Sequence, residues 1–365
     1  MTPSRNGREP LAGVAERIRA GVVGRERELG LVLAAVAAGR DILLEGPPGT
    51  SKSTLLRAIT AEWGIPLVFV EGNADLTPAK LVGHHNPARV LREDYSPENF
   101  VDGPLVEAMR GGGFLYIEEF NRAPEDTLNT LLTAMAERRI AVPRVGEVVA
   151  RDTFRVIASM NPYDNIGTTR LSTSVHDRLC RLAITYQDAV AERGIVVLRA
   201  PQFDPGLADL KPALYERLVA DAVAVTRATR AHEDIRQGSS VRGAIDLTLV
   251  AGQLFNLTPE RVLVWSGPNH DSDGQVTAEA GTASTAAAST AAGGPGAVVP
   301  DAGAGTIGLS AEAELAYRET VYDAMVVALS GRIFLDETVE ATPEQVLRQI
   351  WEDHYILGPA AAAPG

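Results

Sequence analysis

A glycine- and proline-rich turn, Gly46-Pro47-Pro48-Gly49-Thr50-Ser51, runs directly into Lys52-Ser53-Thr54. These residue types at this spacing can cradle a phosphate. Backbone N–H groups of a tight turn converge on an anion, and a helix that starts where the turn ends adds the positive pole of its dipole. Lys52 would then reach the β- and γ-phosphates, and the Ser53 hydroxyl would bind Mg²⁺. The pattern G-x-x-x-x-G-K-[ST] expects glycine at position 51. The chain has Ser51 there, so that residue must take the loop conformation at some steric cost.

A second stretch, Phe114-Leu115-Tyr116-Ile117-Glu118-Glu119, ends four apolar residues in two carboxylates. Acids at a buried strand end are costly without a cation. Facing a phosphate loop, Glu118 would hold Mg²⁺ through water, and Glu119 would orient and polarise the attacking water. Asn161, closing the apolar run 154–160 before Pro162, can hydrogen-bond a γ-phosphate or that water; the plainer alternative is an Asn-Pro turn. In Ser239-Ser240-Val241-Arg242 a helix begins with serine capping and an arginine in its first turn. A helix N-terminus disfavours cations, so Arg242 there points to an anion outside the helix. The adjacent His84 and His85 read as a polar loop rather than metal ligands, because neighbouring positions of an extended segment point apart.

The elements that must position these groups alternate. Residues 41–45, 66–70, 114–117, 154–161 and 179–186 read as strands, the second of them buried, and 54–63, 126–138 and 171–178 as helices. Residues 140–150 have the alternation and turn of a hairpin. This order predicts an α/β fold with a central parallel sheet, whose carboxyl edge gathers the ligand. The alternation ends near Tyr186, and 188–253 is helix-rich. From 267 to 308 the composition collapses to Ala, Gly, Ser, Thr and Pro, too little apolar surface to offset chain ordering, which predicts a flexible insert. Helical signals return at 309–329 and 342–355.

The chain has 365 residues, enough for two folded units, and a net charge of −13, which argues against a phosphate backbone as the main partner. Lysine occurs only at Lys52, Lys80 and Lys211, so a point-charge ammonium is kept in the phosphate loop of an otherwise arginine-rich chain. Cys180, the single cysteine, allows no intrachain disulfide, and its apolar surroundings predict a buried side chain. No apolar segment is long enough for a signal peptide or membrane span, so a cytoplasmic location is expected.

With both loops, the amide and the arginines in view, the chain resembles the AAA+ ATPases, and within them the MoxR group, related to the ATPase subunits of magnesium chelatase. The likeness runs over 22–254 and resumes over 309–356. It rests on Gly-Pro-Pro-Gly-Thr-Ser-Lys-Ser, Ile-Glu-Glu-Phe-Asn-Arg-Ala, Ser-Met-Asn-Pro and Asp-Arg-Leu. The resemblance implies that Lys52 and Ser53 belong to the Walker A motif and that Glu118 and Glu119 form the Walker B pair, with Glu118 where the family usually has aspartate. It further implies that Asn161 is sensor 1, that Arg242 is sensor 2 on a helical lid, and that Arg178 is the arginine finger, with Arg181 and Arg170 as alternatives. Hairpin inserts would fall within 81–103 and 140–150. The implied organisation is an N-terminal tail and helix (1–21), an AAA+ core (22–187), a lid in two parts (188–266 and 309–357) around the insert (267–308), and a tail (358–365). Relatives form hexameric rings and commonly act with a partner carrying a von Willebrand factor A domain, maturing or inserting a cofactor or metal into a target enzyme. The expected activity is hydrolysis of ATP with Mg²⁺. Its rivals are a nucleotide-binding switch with little turnover, suggested by Ser51 and Glu118, and a nucleic-acid motor, which the acidic balance disfavours.

Overall fold

The computed structural model describes residues 11–19, 21–89, 96–162, 171–257 and 310–357. The expected insert 267–308, both expected tails except the helix from Leu11, and Arg170 lie outside these residues.

Among the described residues nine strands lie between Ile42 and Ala183: β1 (Ile42–Glu45), β2 (Leu67–Glu71), β3 (Gly83–His85), β4 (Phe100–Asp102), β5 (Phe114–Glu118), β6 (Arg139–Val142), β7 (Gly146–Val149), β8 (Arg155–Met160) and β9 (Cys180–Ala183). Five form one sheet in the order β2-β5-β8-β1-β9, every pair parallel. Because side chains alternate along a strand, each central strand feeds two cores. Ile42, Leu44, Phe114, Tyr116 and Ile157 face the layer with helices Leu11–Arg19, Glu26–Ala37 and Lys52–Trp63. Leu43, Leu115, Ile117, Val156 and Ala158 face the opposite layer with helices Pro104–Gly111 and Glu125–Glu137. Burial on both faces is why β1, β5 and β8 read as unbroken apolar runs.

Three expectations change. Residues 66–70 lead not to an interior strand but to β2, the sheet edge, where Phe69 is 44% exposed. Cys180 opens the other edge strand and is exposed rather than buried. His84 and His85 are not a loop: they form β3, paired antiparallel with β4, and His85 meets the Phe100 ring at 5.3 Å. The hairpin expected over 140–150 is present as β6 and β7.

Beyond Tyr186 the helices Ala189–Phe203, Pro212–Ala231, Val241–Leu257, Ala311–Leu329 and Pro343–Glu352 enclose a core of their own, with Leu218, Leu247, Val321, Met325 and Leu347 fully buried. A short antiparallel pair, β10 (Ile235–Gln237) and β11 (Phe334–Leu335), sits beside them. Buried Glu192 ties two helices of this bundle together: Arg230 Nη1 and Arg227 Nη1, both on helix Pro212–Ala231, donate to it at 2.6 and 3.1 Å, and Arg227 Nη1 also reaches Gln187 O, just before helix Ala189–Phe203, at 2.9 Å. Among the described residues no helix is long and apolar enough to cross a membrane.

Candidate nucleotide site

The phosphate loop leaves the carboxyl end of β1, and its shape is set by positions that admit almost no side chain. At Gly46 an added Cβ would come within 2.0 Å of Ile184 O. At Gly49, φ is +75°, and a Cβ would lie 2.3 Å from Ser240 Oγ. The loop is therefore pressed between the sheet and the start of helix Val241–Leu257. Pro47 and Pro48 stiffen its first half, and the buried Thr50 closes it by donating to Pro47 O at 2.9 Å. Ser51 takes the left-handed conformation (φ 64°, ψ 22°) at the N-cap of helix Lys52–Trp63, with no side-chain cap bond. This is the steric cost expected of a non-glycine there.

Lys52 is 9% exposed. Its Nζ donates to Gly46 O at 2.7 Å and Pro47 O at 2.9 Å, so the ammonium lies along the inside of the loop. Burial holds its pKa down to about 8; Glu118 opposes that fall, while Arg242 and Arg25 add to it. One residue on, Ser53 Oγ donates to Glu118 Oε1 at 3.1 Å and lies 3.3 Å from Tyr116 Oη, itself 2.9 Å from Ser159 Oγ. Thr54 follows, half-buried, in the same helical turn. Loop and acidic strand thus meet through a hydroxyl and a carboxylate.

Glu118 ends β5 in register with Glu71 of β2. Glu119 then turns the chain in the left-handed region (φ 53°, ψ 44°), and its Oε2 pairs with Arg122 Nε at 3.1 Å. Asn161 follows β8, one residue beyond Met160, whose carbonyl accepts from Gly46 N at 3.1 Å; Asn161 O accepts from Asn121 Nδ2 at 3.4 Å. Arg242 lies in the first turn of helix Val241–Leu257, with its Cγ 3.9 Å from the Cβ position on Gly49. The loop residues 46–54, Glu118, Glu119, Asn161 and Arg242 therefore share the carboxyl edge of the sheet.

Arg178 does not join them. It ends helix Thr173–Arg178, donates to Ser174 O at 3.0 Å, and lies with Asp41 and Arg155 at the amino ends of β1 and β8. Arg181 is engaged within its own chain, its Nε 2.5 Å from Glu45 Oε2.

Arg25 belongs to none of the sequence motifs, yet it sits at the loop. This arginine, 2% exposed, donates to Thr50 O in the loop (3.1 Å), Thr185 O (2.6 Å) and Gln187 Oε1 (2.9 Å), and pairs with Glu28 at 3.0 Å. It bridges the phosphate loop to the segment leading into the helical bundle. The signal was available: Arg25 directly precedes helix Glu26–Ala37, the same uncomfortable place for a cation that singled out Arg242. Tyr116 and Ser159 were legible only as core and strand.

Residues 41–179 match the AAA domain (dynein-related subfamily). The gas vesicle ATPase GvpN of Ancylobacter aquaticus is 27% identical over 266 residues, 67% of this chain and 71% of that protein. The uncharacterized protein YojN of Bacillus subtilis is 30% identical over 190 residues, 52% of this chain and 62% of its own length. Among solved structures, a variant of RuvB from Thermotoga maritima aligns over 65% of both chains at 19% identity with a TM-score of 0.42. The matched span takes in the loop, the acid pair and the strand before Asn161, so over residues 41–179 the chain is similar to an AAA domain.

Proposed function

We propose that the chain is a MoxR-type AAA+ machine that spends ATP on remodelling or maturing a protein client. The reading is carried by one observation: the Ser53 hydroxyl and Glu118 carboxylate lie 3.1 Å apart at the mouth of a loop that also buries the Lys52 ammonium. Hydroxyl and carboxylate are hard oxygen donors suited to Mg²⁺, held by Ser53 and, through water, Glu118. The ion would neutralise charge on the β- and γ-phosphates. Lys52 exchanges the Gly46 and Pro47 carbonyls for phosphate oxygens, a swap of acceptors that leaves the buried ammonium satisfied. Glu119 orients and polarises the attacking water, and Asn161 hydrogen-bonds the γ-phosphate or that water.

In this conformation Glu119 is paired with Arg122, so it must be released before it can act on water. That pairing, with the strained Ser51, also favours the second reading of a nucleotide switch with little turnover. Arg242, carried by a helix seated on the loop, would report the state of the γ-phosphate to the helical bundle, whose movement is the work stroke. Arg178, at the far edge of the sheet, would complete the site of a neighbouring copy. A finger supplied in trans is worth roughly 10³–10⁵ in rate, so hydrolysis would depend on assembly. Head-to-tail contacts of this kind close into a ring, here a hexamer. A cytoplasmic setting, a von Willebrand A-domain partner and a metalloenzyme client are carried over by analogy with the MoxR group. The relative named as a gas vesicle ATPase supports the ATP-turnover part of this reading.

The test is paired. Glu119→Gln should bind ATP as the parent does and lose turnover by at least about a hundredfold. Mixing it with Arg178→Ala, each inactive alone, should restore part of the activity, since some interfaces then hold both intact groups. Unaltered turnover in Glu119→Gln would remove its assigned role. No recovery under proven subunit exchange would remove the trans finger, and tight ATP binding with negligible phosphate release by the assembled parent would favour the switch.

A further inference from the structure

At the sheet edge opposite the nucleotide loop, before β1 and β8, lies a cavity of about 500 Å³. Arg40, Arg138, Arg151, Arg155 and Arg178 line it. Three carboxylates, those of Asp41, Asp152 and Asp177, share the lining and leave an excess of two positive charges, by five against three, on a chain whose net charge is −13. These groups are far apart in sequence, and the topology brings them together.

The arginines are poorly neutralised. The one ion pair within 4.0 Å among the lining groups is Arg138 Nη1 to Asp41 Oδ2, at 3.8 Å. Asp41 is largely committed elsewhere, its Oδ1 accepting from Val156 N at 2.7 Å. Arg155 donates through Nη1 to the carbonyls of Asp152 (2.7 Å) and Phe154 (2.5 Å), while its Nε is buried without an acceptor. Burial, and then the neighbouring Arg138, push the Arg155 guanidinium below its usual pKa. Arg178 keeps one contact, to Ser174 O, and the guanidinia of Arg40 and Arg151 make none among the described residues. Like charges gathered in a concavity repel unless an anion joins them, and guanidinium forks match phosphate oxygens two at a time. The volume is more than ten times the ~30 Å³ of a liquid water molecule, room for a chain of phosphates rather than one small ion.

We propose that this cavity is a second phosphate-binding site, taking the phosphate chain of a nucleotide or an inorganic polyphosphate. The phosphates can come from two sources: the nucleotide of a neighbouring copy, which rests on the ring reading above, or a free polyphosphate in solution.

The probe is inorganic tripolyphosphate, titrated calorimetrically into dilute full-length Lys52→Ala protein at low ionic strength, so that the nucleotide cradle does not compete. One site should remain, and its affinity should fall as salt is raised. Replacing Arg40 and Arg151 together by glutamine should weaken it at least about tenfold. Both side chains are exposed and make no hydrogen bond or ion pair among the described residues, so the fold should survive, which unchanged thermal unfolding would verify. The sources separate in assembled protein with Lys52 intact. If the neighbour supplies the phosphates, Arg40→Gln/Arg151→Gln lowers kcat while the dilute subunit binds nucleotide as before. If a free polyphosphate does, tripolyphosphate shifts the ATPase rate of the parent more than that of the double variant. No binding by Lys52→Ala at millimolar tripolyphosphate would overturn the proposal, as would equal affinity in the double variant. Polyglutamate binding as tightly as tripolyphosphate would reassign the cavity to an acidic protein segment. Should Arg178→Ala leave the assembled ATPase intact, the trans reading fails on its own, and the calorimetry still decides the cavity.

Discussion

Gly49→Ala probes the contact through which, on the proposed function, nucleotide and helical bundle would be coupled. The new methyl would sit at φ +75°, 2.3 Å from Ser240 Oγ and 2.4 Å from Ser240 Cβ. Two penalties arise. The left-handed backbone costs about 1–2 kcal/mol for a residue with a Cβ. Separating two carbons from 2.4 Å to ordinary contact requires a shift of more than an ångström at the start of helix Val241–Leu257, an overpacking cost of about 1–3 kcal/mol. The total is about 2–5 kcal/mol. The two parts can be told apart, because Ser240→Gly removes the Oγ and Cβ struck by the methyl but leaves the backbone strain. Urea unfolding of the four proteins, with fluorescent ATP binding as a second readout, completes a double-mutant cycle. The pair should be about 1–3 kcal/mol less damaging than the sum of the singles, and Gly49→Ala alone should weaken ATP binding. Additive effects would mean that the helix carrying Arg242 does not rest on the loop, and the route from phosphate to bundle would lose its physical basis.

Three further outcomes follow from the same geometry. With its free pKa held to about 8, Lys52 must regain a proton to meet a triphosphate, so ATP affinity should fall about eightfold between about pH 7.5 and about pH 9, with proton uptake at the upper end. Calorimetry in buffers of different ionisation enthalpy measures both, and Lys52→Arg, charged throughout, should give a flat profile; a flat parent profile would contradict the burial argument. Ser51→Gly, relieving a left-handed serine without a cap bond, should raise stability by about 0.5–1 kcal/mol in urea unfolding, and a loss would show that the serine makes a compensating contact. Glu192→Ala leaves Arg227 and Arg230 facing an empty, buried position and should cost about 3–5 kcal/mol, seen as a clear drop in Tm; a change below about 1 kcal/mol would mean that these two bundle helices are held together by packing alone.

What could be read from the chain was whatever leaves a local trace. A phosphate loop is contiguous because backbone N–H groups of one turn must meet one anion, and an acid pair after an apolar run marks the end of a buried strand. Both needed only a few neighbouring residues, and the parallel sheet followed from the alternation around them. Position across the sheet leaves no such trace. The run at 66–70 and that around Cys180 are as apolar as β1, yet they became edges because strand order depends on partners distant in sequence. His84 and His85 lack strand-like neighbours and still pair, because β4 lies beside them. Arg25 and four of the cavity arginines, Arg40, Arg138, Arg151 and Arg155, are single residues in unremarkable surroundings, assembled only by tertiary structure, whereas Arg178 stood out through its Asp-Arg-Leu setting.

The central claim is that the basic loop and the acidic strand end close on one triphosphate and its magnesium. A crystal structure of the Glu119→Gln protein grown with ATP and Mg²⁺ tests it most directly. The account predicts Lys52 Nζ withdrawn from the Gly46 and Pro47 carbonyls onto phosphate oxygens, with Ser53 on the metal and Glu118 on a metal-bound water. Lys52 still bonded to those carbonyls, with the nucleotide bound elsewhere on the protein, would contradict it.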